Sequence, residues 1–235
     1  EGDHGPEYRI GAYADRDILA AVARLFLRHD DWPAPAHAGG CPGPGGAREY
    51  HYSWGRQNWF PNSAAEHRAL REGVGMYDMS SFGKLRVEGP EAEAFLNHIC
   101  GNDMSVPPGR IVYTQFLNES GRIEADVTVT RLSGAAYLVV TPAATRPADQ
   151  HWMERHVGSF RVTITDVTAA EGVLAVMGPN ARELMARVSP DDFSNAAHPF
   201  GTAREIEIGL GLARAHRVSY VGELGWEIFV SADMA

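Results

Sequence analysis

Cysteine is nearly absent from this chain, since Cys41 and Cys100 are the only two among its 235 residues. They do not have the spacing of a zinc site, and the ten histidines include no pair four residues apart that flanks a glutamate. The sequence therefore predicts no metal site. Two isolated cysteines predict unpaired thiols, and with a polar N-terminus unlike a signal peptide they favour a cytoplasmic protein.

Long apolar runs and clusters of basic residues are also missing. No stretch approaches the roughly eighteen apolar residues of a membrane span, so no membrane partner is expected. Lys and Arg number 21 against 30 Asp and Glu, and the net charge of −9 excludes the basic surface of a nucleic-acid-binding protein. No Gly-rich dinucleotide fingerprint occurs, so the sequence predicts no flavin site in this chain.

The first fifty residues differ in character from the rest. Residues 15–28 have the apolar spacing of a helix, whereas residues 33–46, PAPAHAGGCPGPGG, are typical of a loop. We therefore predict an N-terminal helix and a Pro/Gly-rich linker over residues 1–49. A single folded domain is predicted over residues 50–235.

A pattern of strand, Gly-Pro and helix occurs twice. It covers residues 84–100, KLRVEGPEAEAFLNHIC, and residues 173–189, VLAVMGPNARELMARVS. The repeat predicts an α+β fold of two related units, each with antiparallel strands and helices on one face, and the two copies in equivalent places. A helix is expected near residues 147–157. Further strands are expected at 111–117, 122–131, 136–141, 160–167, 204–209, 213–220 and 225–230.

Local signals predict where three helices begin. Ser63 and Glu66 have the spacing of a capping box, which predicts a short helix running from there to Arg71. Pro90 and Pro179 are each expected at the first helical position, where a missing N–H leaves no hydrogen bond unmade.

Asp126 is the best single candidate for chemistry. Strands disfavour aspartate, yet Asp126 lies among Ile123, Val127 and Val129 in a predicted strand. From spacing alone, an acid that faces water or caps a turn is the commoner explanation. The functional alternative is a partly desolvated carboxylate that accepts a hydrogen bond from a ring N–H or takes its proton.

Glu227 and two tyrosines form a second set of candidates. Glu227 alternates with large apolar residues, so it faces either solvent, the default, or a pocket. Tyr113 and Tyr220 are each more often core aromatics, but they could also form the walls around a flat ring. If these residues and Asp126 form one site, they must line one pocket, with the two carboxylates at different edges.

Four stretches resemble the folate-binding glycine-cleavage T-protein family, and most of all the T-protein-like part of sarcosine and dimethylglycine dehydrogenases. They are SWGRQNWF, EHRALREGVGMYDMSSFGKLRVEGPEAEAFLN, PPGRIVYTQFLNESGRIEADVTVTRL and SYVGELGWEIFV. The resemblance covers roughly residues 50–235. It implies two ferredoxin-like antiparallel units and tetrahydrofolate as cofactor. Asp126 matches the family's catalytic acid, and the folate-contacting positions are matched by Tyr113, Tyr220 and Glu227.

The chain also departs from the family pattern. Ala125 stands in place of the first acid of the family's Asp-Asp pair, and Thr130 stands where a tyrosine is often found. The family's later arginine and its terminal β-barrel have no counterpart, so the barrel is expected to be absent or truncated.

The resemblance implies an enzyme: a tetrahydrofolate-dependent aminomethyltransferase or demethylase of one-carbon metabolism. Its partners would be folate, a small N-methylated amine or aminomethyl donor, and a flavin-containing domain or subunit. The alternative is a non-catalytic module that binds folate or a partner and supports a flavin oxidase subunit. Turnover, as opposed to folate binding alone, distinguishes the two.

Overall fold

The structure, a computed structural model, describes residues 54–57 and 60–234, apart from the side chain of Asn62. The predicted N-terminal helix and the Pro/Gly-rich linker, residues 1–49, lie outside these residues. The helices are α1 (Phe60–Glu72), α2 (Ala92–Ile99), α3 (Arg146–His156) and α4 (Ala181–Val188). The strands are β1 (Gly75–Asp78), β2 (Gly83–Glu88), β3 (Ile111–Leu117), β4 (Ile123–Ser133), β5 (Ala136–Thr141), β6 (Thr163–Asp166), β7 (Glu171–Met177), β8 (Ala203–Ile208), β9 (Gly211–His216) and β10 (Gly225–Ser231).

The strands form two five-stranded antiparallel sheets. The first sheet has the order β3-β4-β5-β2-β6, and the second sheet has the order β1-β7-β10-β9-β8. Every pair of neighbouring strands is antiparallel. The predicted α+β fold with antiparallel sheets is therefore confirmed.

Most strands lie within a few residues of their predicted bounds, and β1 is the element that was missed. It has four residues, three of them exposed, and among the described strands it pairs with β7 alone, at the edge of the second sheet. A short edge strand without a buried face leaves no alternation to detect. Strand β6 is shorter than predicted because hydrogen bonds from Phe160 to Val157 and from Val162 to Phe160 turn the chain before it.

Two expectations about helix starts are wrong. Helix α1 begins at Phe60, so Ser63 lies inside the helix and does not cap it. Pro61, whose fixed φ suits a first turn, explains the earlier start. Pro90 and Pro179 precede the capping residues of α2 and α4 instead of opening the helices, because the chain first turns at the glycines before them.

The two sheets repeat one another. The first sheet has the order β3-β4-β5-β2-β6, and the second, taken from its other edge, has the order β8-β9-β10-β7-β1. In these two orders β2 with α2 and β7 with α4 occupy equivalent positions, as predicted. Both helices have eight residues, and in both the side chains at the first, fourth and fifth positions are buried. The repeat does not follow the chain, however. The edge strand β6 follows α3 in the first unit, whereas its equivalent, β1, follows α1 and precedes both units in the sequence.

The equivalence extends to individual hydrogen bonds. In each unit an edge strand ends in an aspartate whose carboxylate accepts the N–H of a hydroxyl residue two positions later. That hydroxyl oxygen in turn accepts the N–H of a residue in the strand that pairs with this edge strand in the same sheet. The residues are Asp78, Ser80 and Val173 in one case and Asp166, Thr168 and Lys84 in the other, with distances of 2.9 and 3.0 Å in both.

Three apolar clusters hold the fold together. One lies between the first sheet and helices α2 and α3, and another lies between the second sheet and α4. The third contains residues from both sheets, among them Leu138, Ala175 and Phe229. Each sheet therefore has one face covered by helices and an inner face that packs on the other sheet.

The starts of β3 and β8 also meet through the main chain. Ile111 N–H donates to Gly201 O at 2.8 Å, and Ala203 N–H donates to Gly109 O at 2.7 Å. These bonds fix one sheet against the other beside the β3–β4 pair, where Asp126 lies. None of the helices in the described part of the chain combines the length and apolar character needed to cross a bilayer.

We predict that Gly178→Ala destabilises the fold by about 2–4 kcal/mol. Gly178 has a φ of 132°, and an added Cβ would lie 2.4 Å from Gly73 O and 2.7 Å from the Cα of Val74. Gly134→Ala is the matched control, because its Cβ would meet nothing within 4 Å. Urea denaturation measures both, and equal stabilities of the two variants would contradict the prediction.

Candidate functional site

Asp126 lies in the middle of the β3–β4 pair. Its Cα partner is Gln115, and its neighbours Ala125 and Val127 are buried in the helix-covered core of the first sheet. Because side chains alternate along a strand, Asp126 projects from the opposite, inner face. It is exposed there.

Both carboxylate oxygens of Asp126 accept a hydrogen bond. The hydroxyl of Tyr113 donates to Oδ2 at 2.7 Å, and Nε2 of Gln115 donates to Oδ1 at 3.0 Å. The bond to Asp126 is the largest cause that raises the pKa of Tyr113 above its usual value. Tyr113 is 61% exposed, so it is not the core aromatic that its residue type favours.

Glu227 lies on β10 in the second sheet and faces inward. Its neighbours Trp226 and Ile228 are buried against α4 on the opposite face. On its own face, Phe229 and the cross-strand partner Ala175 belong to the cluster between the sheets. Glu227 is therefore not on a solvent-facing surface, which was the default expectation for this position.

The repeat of the two sheets supports this orientation. Glu227 is the third residue of β10, and its equivalent in β5 is Leu138. Leu138 is fully buried in the cluster between the sheets. The preceding residues, Trp226 and Tyr137, are likewise both fully buried aromatics. The second unit thus has a carboxylate where the first has a core leucine.

The carboxylate of Glu227 has no hydrogen bond or ion pair with any residue in the described ranges. Burial raises its pKa to about 7. Arg214, a cation on the same face, is engaged elsewhere: it forms two hydrogen bonds with Glu171 at 2.8 and 3.0 Å and donates to His216 at 3.2 Å. A largely buried acceptor with unmet hydrogen-bonding capacity is suited to a ligand that presents N–H groups.

Tyr220 lies in the segment between β9 and β10 and is 72% exposed. Its ring meets the ring of Phe82 edge-on, with centroids 6.2 Å apart. Phe82 and Val221 pack on the cluster between the sheets, so Tyr220 stands at the border of that cluster. Like Tyr113, it is an exposed ring and not a core aromatic.

The structure thus joins two of the four predicted residues directly, Tyr113 and Asp126. Glu227 lies on the inner face of the other sheet, and Tyr220 lies at the border of the core between the sheets. No hydrogen bond or ring contact among the described residues links Glu227 or Tyr220 to the Tyr113–Asp126 pair. That the four line a single pocket stays a prediction.

Two further polar residues were not singled out as site residues for this inner face. Gln115 alternates with Tyr113 on β3, but its partner could be identified only once the register was known. Thr130 lies four residues after Asp126 on the same face of β4 and is fully buried. Its Oγ1 has no hydrogen-bond partner among the described residues.

A cavity of about 650 Å³ lies elsewhere, beside the connections that lead into β2 and β7. Its polar residues include Arg146 and Asp166, which form an ion pair with each other, and Glu171, which is paired with Arg214. These charges satisfy one another, and none of the four predicted residues lines the cavity. Within the described ranges, no three His, Cys, Asp or Glu side chains come together as metal ligands.

Comparison with known proteins places these residues in a family context. The model of the family described as "GCVT N-terminal domain" matches residues 37–235. The chain is 44% identical over 192 residues to 4-methylaminobutanoate oxidase (formaldehyde-forming) of Paenarthrobacter nicotinovorans, an alignment that covers 82% of this chain and 23% of the oxidase. It is 32% identical over 189 residues to mitochondrial dimethylglycine dehydrogenase of Rattus norvegicus, covering 79% and 22% of the two chains.

A solved structure has the same fold. The glycine cleavage system aminomethyltransferase T from Bartonella henselae matches with a TM-score of 0.63 at 27% identity, over 73% of this chain and 45% of that one. The chain therefore spans less than a quarter of the length of the two curated relatives and less than half of the solved structure.

We predict that Glu227→Gln removes a pH dependence of stability. Because the folded-state pKa of Glu227 is raised to about 7, its stabilising protonated form is present in full below the unfolded-state value near 4.5. The wild type should therefore lose up to about 3 kcal/mol between pH 4.5 and pH 7 through this group, and the neutral amide should not. Denaturation at pH 5 and pH 8 tests this, with the exposed Glu119→Gln as control. The same difference in the free energy of unfolding between pH 5 and pH 8 for the wild type and Glu227→Gln would refute the prediction.

Proposed function

Because the chain belongs to the glycine-cleavage T-protein family, we propose that it binds tetrahydrofolate and transfers a one-carbon unit to it from an N-methylated amine or an aminomethyl donor. The observation that supports this most is the Asp126 carboxylate, held by two donors on an exposed inner face. On the inner face of the other sheet, Glu227 is largely buried and has no hydrogen bond or ion pair among the described residues. In this proposal residues 50–235 are the folate-binding domain, made of two ferredoxin-like units.

The proposed binding residues suit the chemistry of a pteridine. Its amino-pyrimidinone edge presents two parallel N–H groups, which a carboxylate accepts in a charge-assisted, directional pair. Glu227 supplies that carboxylate in a desolvated setting, where such bonds are strong. Tyr113 and Tyr220 present exposed rings, 61% and 72% accessible, against which a flat ligand can stack.

Asp126 is the proposed catalytic residue. When bound, tetrahydrofolate supplies two N–H groups whose nitrogens take up a carbon at the formaldehyde oxidation level, while the donor amine leaves with the two displaced protons. Two of the lone-pair positions of Asp126 are used by Tyr113 and Gln115. The remaining ones can accept an N–H of the ligand, hold its proton, or stabilise the positive charge that develops during transfer.

The oxidation of a methylated amine needs a two-electron acceptor, and the relatives that perform such chemistry by name are several times longer than this chain. We assign that oxidation to a flavin-containing domain or subunit outside these residues. The transfer assigned here is redox-neutral, so the two steps are chemically separable. This arrangement corresponds to an enzyme similar to sarcosine or dimethylglycine dehydrogenase.

Calorimetry with tetrahydrofolate tests the binding part of the proposal. We expect the wild type to bind it, and Glu227→Gln to bind it about tenfold more weakly, because the amide presents only one acceptor oxygen and no charge. Glu119→Gln, an exposed acid on the β3–β4 turn, should bind like the wild type. Binding by the wild type without any transfer would favour the non-catalytic module, and no binding would overturn the proposal.

For transfer, we predict that Asp126→Asn retains the fold and tetrahydrofolate binding but slows the reaction about a hundredfold or more. The two side chains have the same shape, so only the charge and the proton acceptor are lost. Asp103→Asn is the matched control, because its exposed side-chain oxygen accepts the N–H of Ser105 in a local turn that an amide oxygen preserves. The rate of methylene-tetrahydrofolate formation by the full-length protein, supplied with dimethylglycine or 4-methylaminobutanoate, is the readout. Undiminished transfer by Asp126→Asn would exclude the assigned role.

A further inference from the structure

We propose that Gln115 is a positioning residue, whose amide holds the Asp126 carboxylate in the orientation that one-carbon transfer requires. This rests on the proposed function and adds a residue to it. The supporting observation is the hydrogen bond of 3.0 Å from Nε2 of Gln115 to Oδ1 of Asp126, on the oxygen that Tyr113 leaves free.

The main chain builds this pair into the sheet. The carbonyl oxygen of Gln115 accepts the N–H of Gly101 at 2.9 Å, and that of Tyr113 accepts Nδ2 of Asn102 at 2.7 Å. Both carbonyls therefore face away from β4. In an antiparallel ladder this identifies the Gln115–Asp126 pair as the non-hydrogen-bonded kind, whose side chains lie closest together.

Tyr113 occupies the diagonal position relative to Asp126, within reach of a long aromatic side chain. The carboxylate thus has a donor on each oxygen, one from directly opposite and one from the diagonal. The terminal torsion angle of an aspartate side chain has a broad distribution, and a single hydrogen-bond donor restricts it little. With two donors on different oxygens, the plane of the carboxylate is set, and so is the direction of its unused lone pairs.

The orientation of the amide follows from the same chemistry. A carboxylate accepts hydrogen bonds only, so Gln115 must present Nε2 and not Oε1 to it. Oε1 then remains as a second acceptor beside the carboxylate.

The bond has little to do with stability. Asp126 and Tyr113 are both exposed, and exposed polar pairs contribute little to the free energy of unfolding. The edge of β3 is already held by main-chain pairing with Cys100 and Gly101. Loss of the amide should therefore change reactivity and leave the fold intact.

The first test is Gln115→Met in the full-length protein, a change that keeps the length of the side chain and removes the donor. We expect kcat for methylene-tetrahydrofolate formation to fall about tenfold or more, as for a lost hydrogen bond to a charged group. The dissociation constant of tetrahydrofolate should change by less than about twofold and the midpoint of urea denaturation should not move. Gln150→Met is the matched control, since Nε2 of Gln150 donates to Glu154 Oε1 at 2.8 Å in an exposed hydrogen bond within helix α3.

A second variant, Gln115→Glu, separates positioning by donation from mere space filling. Two adjoining carboxyl groups share one proton, so at low pH the new side chain donates to Asp126 as the amide did. Transfer by Gln115→Glu, measured relative to the wild type, should therefore recover toward low pH and fall as pH rises. The deficit of Gln115→Met should not vary with pH in this way.

The outcomes distinguish the positioning role of Gln115 from the proposed function of the protein. If the wild type transfers carbon and Gln115→Met does so equally well, the positioning role is wrong and the proposed function stands. A deficit of both variants that is equal at every pH also overturns positioning by donation. If the wild type neither binds tetrahydrofolate nor forms methylene-tetrahydrofolate, the proposed function itself fails.

Discussion

The packing of the two sheets on each other, around Leu138, Ala175 and Phe229, determines the environment of every residue in the candidate site. Since helices cover the outer faces, each strand has one face toward a helical core and one toward the other sheet. Apolar side chains fill the inner faces only where the sheets overlap. At the β3–β4 end, Asp126 is exposed, whereas Glu227 on β10 is enclosed by the packing itself. The same packing therefore leaves the Asp126 carboxylate in contact with solvent and largely removes the Glu227 carboxylate from it.

The two units are related by an approximate two-fold repeat. Their strands, turns and helices follow this repeat, but the polar residues of the candidate site do not. The glycines that turn each central strand toward its helix have nearly the same φ, 147° and 132°, and the same hydrogen-bonding role. Glu227 replaces the core residue Leu138, and the position of Asp126 is taken in β9 by Leu212, which is 58% exposed. The repeated parts are those that packing and backbone geometry require. The parts that differ are polar groups on the inner faces, where a repeat would gain nothing for stability.

The sequence predicted the framework because local patterns carry it: alternation marks the longer strands, and the Gly-Pro repeat marks the two central units. The face of Glu227 could not be predicted in this way, because a strand that is covered on both sides has large apolar residues at every position around it. Gln115 was missed because its role depends on register between strands, which a single strand does not specify. Strand β1 was missed because it is short and exposed, and its structure depends on a partner far along the chain.

That distance has a consequence for how the molecule is made. Strand β1 leaves the ribosome about one hundred residues before β7, the strand with which it pairs. The first sheet can close as soon as β6 has emerged, but the second sheet needs β1 to wait until β7 has emerged and β10 lies beside it. The nascent protein therefore carries an unpaired strand edge while the intervening residues are synthesised, and a break in translation between β6 and β7 would release a half-assembled molecule with that edge available to neighbouring chains.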